Sequence, residues 1–192
     1  MDEKPKLILG SASPRRRELL DNVGCVFEVE VADIDESIIA GEQPLEYVAR
    51  VARAKADHLS VEHRNDAILT ADTVVASESQ IFTKPQHREH AFEMWQQLSD
   101  GWHQVSTAVC LLYRDLEEQV VVSTQVRFAA ISDEQMLDYW QSGEPQDKAG
   151  GYAIQGLASA WVQEVRGSYS NVVGLPLFET NKLLRRVGHN WL

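Results

Sequence analysis

Positive charge and cysteine are both scarce in this sequence. Its 192 residues include 18 Lys or Arg against 29 Asp or Glu, a formal net charge of -11. The phosphates of a nucleic-acid polymer would repel such a chain at long range, so we expect no polymer partner. The two cysteines, Cys25 and Cys110, lie far apart among apolar neighbours without metal-ligand spacing. The sequence therefore supports neither a disulfide nor a cysteine-bound metal.

Long apolar runs, repeats and linkers are also missing. Near the amino terminus only Leu7, Ile8 and Leu9 form an apolar run, and no later stretch approaches the roughly 18 apolar residues of a membrane span. We therefore expect a cytoplasmic protein without membrane contact. Hydrophobic residues make up 44% of the chain and charged residues 24%, a composition typical of a folded protein. The length suits one domain, residues 1–192, of two closely joined lobes.

Apolar periodicity predicts alternating strands and helices. Strands are predicted at 6–9, 27–31, 67–76, 80–83, 103–113, 119–130 and 160–165. Helices are predicted at 15–22, 44–59, 88–98, 132–141 and 177–187. Hairpins and longer crossovers both occur in this order, which favours an α/β fold with a mixed twisted sheet and flanking helices.

Three consecutive arginines, Arg15 to Arg17, follow Gly10-Ser11-Ala12-Ser13-Pro14 and occupy the first turn of a predicted helix. The helix dipole disfavours each cation there by about 0.3–1 kcal/mol, so a compensating anion is expected. One interpretation is a phosphate held by free backbone N–H groups and guanidinium groups. The other is a solvated turn in which the arginines pair with Glu18 and Asp21. Successive residues differ by about 100° on a helix, so all three cannot face one ligand.

Asp72 lies in an apolar strand between Ile68-Leu69 and Val74-Val75. A buried carboxylate is costly unless a cation or metal accompanies it, so Asp72 is a candidate base or metal ligand. The alternative is an Asp-Thr turn between two strands. The acidic loop Asp33 to Glu36 could supply oxygen ligands to Mg²⁺, or be an ordinary solvated loop.

Two lysines and two glycine-rich loops complete the candidates. Lys55 lies at the edge of an apolar helix face and Lys84 precedes a proline, and each either contacts a ligand or is solvated. The loop around Gly150 and Gly151 permits close approach of a ligand, and nearby Gln155 carries both a donor and an acceptor suited to the edge of a base. A second loop runs from 167 to 176. The alternative is that both loops are simple turns, the more frequent role of glycine-rich loops.

Five sequence strings occur together in an order and spacing that resemble the Maf family of nucleoside triphosphate pyrophosphatases. They are S-A-S-P-R-R, A-D-T-V-V, K-P, D-K-A-G-G-Y-A-I-Q-G and S-Y-S-N-V-V-G-L-P, spread from about Leu9 to Phe178. The resemblance implies a two-lobed α/β fold around a cleft, like that of the inosine triphosphate pyrophosphatases. It also implies metal-dependent cleavage of a nucleoside triphosphate to its monophosphate and pyrophosphate, with Mg²⁺ or Mn²⁺ as cofactor.

The same resemblance assigns roles to individual residues. Asp72 matches the family's catalytic aspartate, and Glu36 matches its acidic-loop position, so both are expected at the metal. The positions that select the substrate fall on Arg15, Thr73 and Gln155. The phosphate contacts fall on Arg16, Lys55 and Lys84. This combination is similar to the branch that acts on dTTP and UTP, so removal of these or of modified pyrimidine nucleotides from the nucleotide pool is expected.

Alternatives remain at this stage. The neighbouring branch that prefers 7-methyl-GTP typically has Gln at position 73 and an acidic residue at position 155, so the same chemistry on another nucleotide is one alternative. A nucleotide-binding regulator of cell division is another. Thr70, Ala54 and Asp100 depart from the family pattern, and none is a matched catalytic position. Family resemblance further suggests a homodimer.

Overall fold

The computed structural model describes residues 4–78 and 80–190. In this part of the chain the strands are β1 (Leu7–Gly10), β2 (Glu28–Val29), β3 (Ala67–Ser77), β4 (Gln80–Phe82), β5 (Trp102–Tyr113), β6 (Leu116–Phe128) and β7 (Val162–Arg166). They form a seven-stranded mixed sheet of the order β2-β1-β3-β5-β6-β7, with β4 paired to β3 outside that path. β1 runs parallel to β2 and β3, and the other pairs are antiparallel.

Six α-helices flank this sheet in the described residues. They are α1 (Pro14–Asn22), α2 (Pro44–Ser60), α3 (Arg88–Leu98), α4 (Asp133–Gln141), α5 (Tyr169–Val173) and α6 (Leu177–Arg185). Three short 3₁₀ segments lie at Glu144–Asp147, Ala149–Gly151 and Leu157–Trp161. The predicted mixed sheet with flanking helices is thereby confirmed. None of the helices in the described part of the chain has the length and apolar character needed to cross a membrane.

Local chemistry explains where several helices begin and end. Pro14 begins α1, and Gly24 after it has φ +70°, a conformation that glycine adopts easily. Ser132 and Gln135 form a capping box at the start of α4, in which the side chain of each accepts from the other's backbone N–H. Ser13 has the extended backbone of an N-cap, but its side chain makes no cap hydrogen bond.

The core has two parts because side chains alternate across the sheet. Ile8, Ile68 and Val74 face α2 and pack with its apolar side. On the opposite face Leu9 and Leu69 join the larger cluster, which holds most of the buried aromatic rings. The same alternation sends Asp72 and Thr73, which are adjacent on β3, to opposite faces of the sheet.

Several predicted boundaries are wrong at the sheet edges. β2 is only two residues long, since it pairs with β1 alone. β6 begins at Leu116, because its exposed positions accept the polar residues that suggested a longer loop. β7 begins at Val162, and the preceding residues through Trp161 form a 3₁₀ segment. The segment from 167 to 176 is not a plain loop, because it contains the short helix α5.

A gap in the sheet edge opens beside the middle of β3. β1 stops at Gly10, which lies opposite Thr70, and β4 begins to pair only at Val75. Between these points, residues 71–74 have β5 on one side and, among the described residues, no strand on the other. The Asp-Thr turn considered for Asp72 is therefore wrong: β3 runs through it without a break. Side chains on both faces of β3 can reach this gap.

Candidate active site

A cavity of about 670 Å³ lies at the gap in the sheet edge. All of the site residues predicted from the sequence line it: Arg15, Arg16, Glu36, Lys55, Asp72, Thr73, Lys84 and Gln155. They come from α1, the acidic loop, α2, β3, the β4–α3 connection and the segment before the last 3₁₀ turn. Residues that are up to 140 positions apart in sequence (Arg15 and Gln155) thus share one cavity.

Lys55 connects the two carboxylates of the cavity. Its Nζ lies 2.9 Å from Asp72 Oδ1 and 2.8 Å from Glu36 Oε1. Asp72 and Lys55 are both buried, while Glu36 is partly exposed. The sequence expectation that a cation accompanies the buried aspartate is confirmed, and Lys55 is not solvated. In the described residues, Asp72 Oδ2 makes no hydrogen bond of its own and stays available to a ligand.

Burial raises the pKa of the Asp72 carboxyl above its ordinary value, and the positive charges of Lys55 and Arg16 oppose this rise. Desolvation disfavours the charged form of a carboxyl group, so a buried aspartate holds a proton more readily. Asp72 is accordingly a better proton acceptor than a surface aspartate.

Tyr47 is a site residue that the sequence reasoning missed. Its hydroxyl donates a hydrogen bond of 3.1 Å to the backbone carbonyl of Glu36, and its ring lines the cavity. Burial, followed by the nearby Asp72 and Glu36 charges, raises its pKa to about 12, so the hydroxyl stays protonated and can donate. Tyr47, Val51 and Lys55 follow the i, i+4, i+8 spacing of one helix face. This spacing is the sequence signal that could have placed Tyr47 on the same side of the helix as Lys55.

Arg16 is held inside the protein by three contacts. Its Nε donates to the Gly174 carbonyl at 2.8 Å, Nη1 to Ser11 Oγ at 3.0 Å and Nη2 to Thr73 Oγ1 at 2.9 Å. Its side chain is buried, so pairing with solvent-exposed acids of α1 is wrong for this arginine. A guanidinium carries five N–H donors, so two remain for an anion in the cavity.

Thr73 is likewise occupied by the protein. Its hydroxyl accepts from Arg16 and lies 2.9 Å from Thr107 Oγ1. The Thr107 hydroxyl donates its single hydrogen to the Asn171 carbonyl at 3.1 Å. Thr73 must therefore be the donor in the hydrogen bond between the two threonines. This gives one ordered chain from Arg16 through Thr73 and Thr107 to Asn171, and it leaves Thr73 one free lone pair.

Arg15, Lys84 and Gln155 form the accessible part of the cavity wall. Arg15 is half-buried, and Lys84 and Gln155 are exposed. Within the described residues the side chains of Lys84 and Gln155 make no hydrogen bond or ion pair with the protein. One cation, Lys84, and one amide, Gln155, are therefore free to contact a bound molecule, and Arg15 lies in the same cavity wall.

The glycine loop forms the wall next to Gln155. Gly150 and Gly151 have φ +67° and +64°, and both carbonyls accept from Trp95 Nε1 at 3.2 Å. A side chain on Gly150 would press against Val75, so glycine is required for this close packing. Tyr152 follows the loop, and its hydroxyl lies 2.7 Å from His103 Nε2. Burial lowers the pKa of His103 to about 4, so the imidazole ring is neutral.

The donor set suits a hard cation only when a ligand adds oxygens. Among the described residues there is no cluster of three or more His, Cys, Asp or Glu side chains able to hold a metal. Glu36 and Asp72 supply two carboxylates, which lie close together because both contact the ammonium group of Lys55. Mg²⁺ commonly binds one or two carboxylates together with substrate phosphates, so this pair fits the expected metal.

The sequence profile of Maf-like proteins matches residues 6–187. The chain belongs to the Maf family. Among its Maf relatives, the dTTP/UTP pyrophosphatase of Pseudoalteromonas atlantica is 49% identical over 185 residues, which cover 94% of this chain and 96% of that protein. The dTTP/UTP pyrophosphatase of Anaeromyxobacter dehalogenans strain 2CP-1 is 48% identical over 188 residues, with 96% and 95% covered.

Two solved structures resemble part of this chain. The Staphylococcus aureus Ham1 protein superposes with a TM-score of 0.44 at 15% identity and covers 67% of this chain and 72% of that chain. A HAM1 protein from Coxiella burnetii superposes with a TM-score of 0.42 at 12% identity, with 66% and 74% covered. The fold assignment for this Maf protein rests on its own sheet order.

Proposed function

We propose that this protein hydrolyses dTTP and UTP to the monophosphate and pyrophosphate, and so removes these or related modified pyrimidine nucleotides from the nucleotide pool. The observation that carries the proposal is one cavity lined both by the buried pair Asp72–Lys55, with Glu36 on the same lysine, and by the unpaired side chains of Lys84 and Gln155. The names of relatives 46–49% identical along nearly the whole chain support the substrate.

Asp72 would accept the proton in the reaction. A water oxygen attacks the α-phosphorus, the bond from that phosphorus to the bridging oxygen breaks, and pyrophosphate leaves with the bond electrons. The free Oδ2 of Asp72 receives the proton of the attacking water, and its raised pKa favours this transfer. Lys55, on Oδ1, keeps the carboxylate oriented.

The positive groups of the cavity would stabilise the triphosphate and the leaving pyrophosphate. Lys84, the two free N–H groups of Arg16 and the third N–H group of Lys55 are available donors, and Arg16 is already fixed in place by the protein. Groups that are fixed before the reaction stabilise developing charge without reorganisation. Arg15 and Gln155 would contact the base, while Thr73 contributes one lone pair and the orientation of Arg16.

Glu36 would hold a divalent cation, Mg²⁺ or Mn²⁺, together with substrate oxygens, and Asp72 would join it through Oδ1, the oxygen that does not take the proton. Such a cation neutralises phosphate charge and orients the triphosphate. Tyr47 holds the backbone of Glu36 so that this carboxylate stays beside Lys55.

A nucleotide panel with product identification tests the proposal. We expect the wild type to release pyrophosphate from dTTP and UTP only with Mg²⁺ or Mn²⁺, and EDTA to stop the release. Asp72→Asn, which is isosteric, should lower kcat by roughly 10²–10⁴-fold because it removes the proton acceptor. Preference for 7-methyl-GTP, or tight nucleotide binding without product, would favour the alternative functions instead.

The control for that panel is a measurement of whether the Asp72→Asn variant is folded. Asp72→Asn should keep the circular dichroism and the cooperative unfolding of the wild type, since it retains the shape of the side chain. Near-normal turnover in this variant would contradict the role of Asp72.

The proposal also covers assembly and location. We propose a cytoplasmic protein that is one domain of two lobes, forms a homodimer and binds no nucleic-acid polymer. Sedimentation equilibrium would give the mass of the assembly, cell fractionation its location, and a filter-binding assay with DNA and RNA should detect no complex. A monomer, a membrane fraction or a retained polymer would each contradict the corresponding part.

A further inference from the structure

Gln155 lies in a four-residue turn that is closed by a backbone hydrogen bond. The Gly156 N–H donates to the Ala153 carbonyl at 3.1 Å, which places Gln155 at the third position of the turn 153–156. Its side chain is exposed, lines the cavity and makes no hydrogen bond to the described residues. The position of this amide is therefore set by the turn that carries it and not by contacts of its own.

Both ends of this turn are fixed by the same pair of side chains. The Ala153 N–H donates to the hydroxyl of Tyr139 at 3.1 Å, and that hydroxyl donates to Glu144 Oε1 at 2.7 Å. The other carboxylate oxygen, Glu144 Oε2, accepts from the Leu157 N–H at 3.1 Å. A tyrosine hydroxyl and a carboxylate thus form a clamp, Tyr139–Glu144, beneath the turn.

The clamp is buried and closely packed. The Tyr139 ring is buried and packs edge-on to Trp161, with ring centroids 4.7 Å apart. Gly156 passes directly over the Glu144 carboxylate, and a Cβ at this glycine would overlap both carboxylate oxygens. The turn can approach the clamp only because residue 156 has no side chain.

We propose that Tyr139 and Glu144 are positioning residues that set the pyrimidine selectivity of the enzyme by holding Gln155 in place. The inference rests on the proposed function, since it concerns the base that Gln155 reads. Neither Tyr139 nor Glu144 lines the cavity, so their effect on substrates passes through the turn. Base-edge hydrogen bonds weaken steeply with distance and angle, and an amide held by its backbone alone depends on that backbone being fixed.

The test measures kcat/KM for UTP and for CTP, whose bases differ in the donors and acceptors of one edge. Tyr139→Phe keeps the packed ring and removes the hydroxyl. We expect it to lower the UTP/CTP selectivity ratio by about three- to tenfold, mainly through KM, the size of one lost hydrogen bond. Glu144→Gln, which keeps one acceptor oxygen, should retain more of the ratio than Glu144→Ala.

A double-mutant cycle shows whether the clamp acts through Gln155. Gln155→Ala should itself lower the ratio, and Tyr139→Phe combined with Gln155→Ala should give the ratio of Gln155→Ala alone. Losses that multiply, or a ratio unchanged in Tyr139→Phe, would overturn the inference. Absence of any turnover by the wild type would instead reject the proposed function, and the inference with it.

Ser99→Ala is the matched control. Ser99 Oγ accepts from the Ile131 N–H at 2.8 Å, a bond of the same kind at a place that does not line the cavity. This variant should lose stability and keep the UTP/CTP ratio. Amide hydrogen exchange supplies a readout without turnover: Ala153 and Leu157 should exchange faster in Tyr139→Phe, and unchanged exchange would also overturn the clamp.

Discussion

Thr107 determines the orientation of the Thr73 hydroxyl, although its own side chain does not line the cavity. Its single hydrogen is used on the Asn171 carbonyl, so it can only accept from Thr73. Thr73 in turn accepts from Arg16, and the position of the guanidinium therefore depends on a residue one strand away. We expect a hydroxyl of this kind to affect catalysis by ordering its neighbours.

Thr107→Val tests this order at a single residue. Valine keeps the shape of the side chain but leaves Thr73 and the Asn171 carbonyl without their partner, so Arg16 is held less firmly. We expect kcat/KM for dTTP and UTP to fall about three- to tenfold, the effect of one hydrogen bond. Thr107→Ser retains the hydroxyl and should stay closer to the wild type; equal activities of the two variants would contradict the ordered chain.

At the scale of elements, His63 joins the short edge strand β2 to the connection between α2 and β3. Its Nε2 lies 2.7 Å from Glu30 Oε2, just beyond β2, and its Nδ1 lies 3.0 Å from Asp66 Oδ2, just before β3. The hydrogen bond to Asp66, and then that to Glu30, raises the pKa of His63 above its ordinary 6.5. The two acids bind the protonated ring better than the neutral one.

This linkage makes the stability contribution of His63 depend on pH. Because its pKa is raised in the folded state, the contribution is complete below pH 6.5 and is lost as the pH rises through the folded-state pKa. We expect the free energy of unfolding of the wild type to exceed that of His63→Gln by more at pH 5.5 than at pH 9, measured by urea denaturation. A difference that is constant over this range, or that grows with pH, would contradict the contact.

At the scale of the whole molecule, Trp95 connects the core to the cavity. It is fully buried in the large core cluster, packs against Tyr139 and Trp161, and donates from Nε1 to the carbonyls of Gly150 and Gly151. The glycine loop therefore packs against the centre of the hydrophobic core. This contact holds one wall of the cavity in place, although the glycines of that wall have no side chains.

Trp95→Phe should lower the free energy of unfolding by about 1–3 kcal/mol, since it removes the shared donor of two buried carbonyls as well as some packing. Urea denaturation measures this loss. Trp140→Phe is the control, because Trp140 is only partly buried at the edge of the same cluster. Equal losses in the two variants would show that the contact with the glycine loop contributes nothing measurable.

The sequence by itself determined the composition of the protein and most of its elements. Apolar periodicity located the helices and the long strands, because this signal depends only on neighbours in the chain. The motif strings contain six of the eight predicted residues that line the cavity, and Glu36 and Lys55 lie outside them. These sequence signals did not predict the two-residue β2, the short helix α5 or the start of β6. The length of β2 depends on its pairing with β1, which is distant in sequence. β6 begins among polar residues at exposed positions, which carry no apolar signal.

Only the tertiary structure decided what each site residue touches. It placed Lys55 between two carboxylates, enclosed Arg16 among protein acceptors and left Lys84 and Gln155 free. It also brought in Tyr47, Thr107 and the Tyr139–Glu144 clamp. The net charge of -11 belongs to the whole chain, whereas a basic cavity depends on which few side chains the sheet gap collects. Burial and hydrogen-bond partners arise from packing across the sheet, and packing joins residues that the sequence keeps far apart.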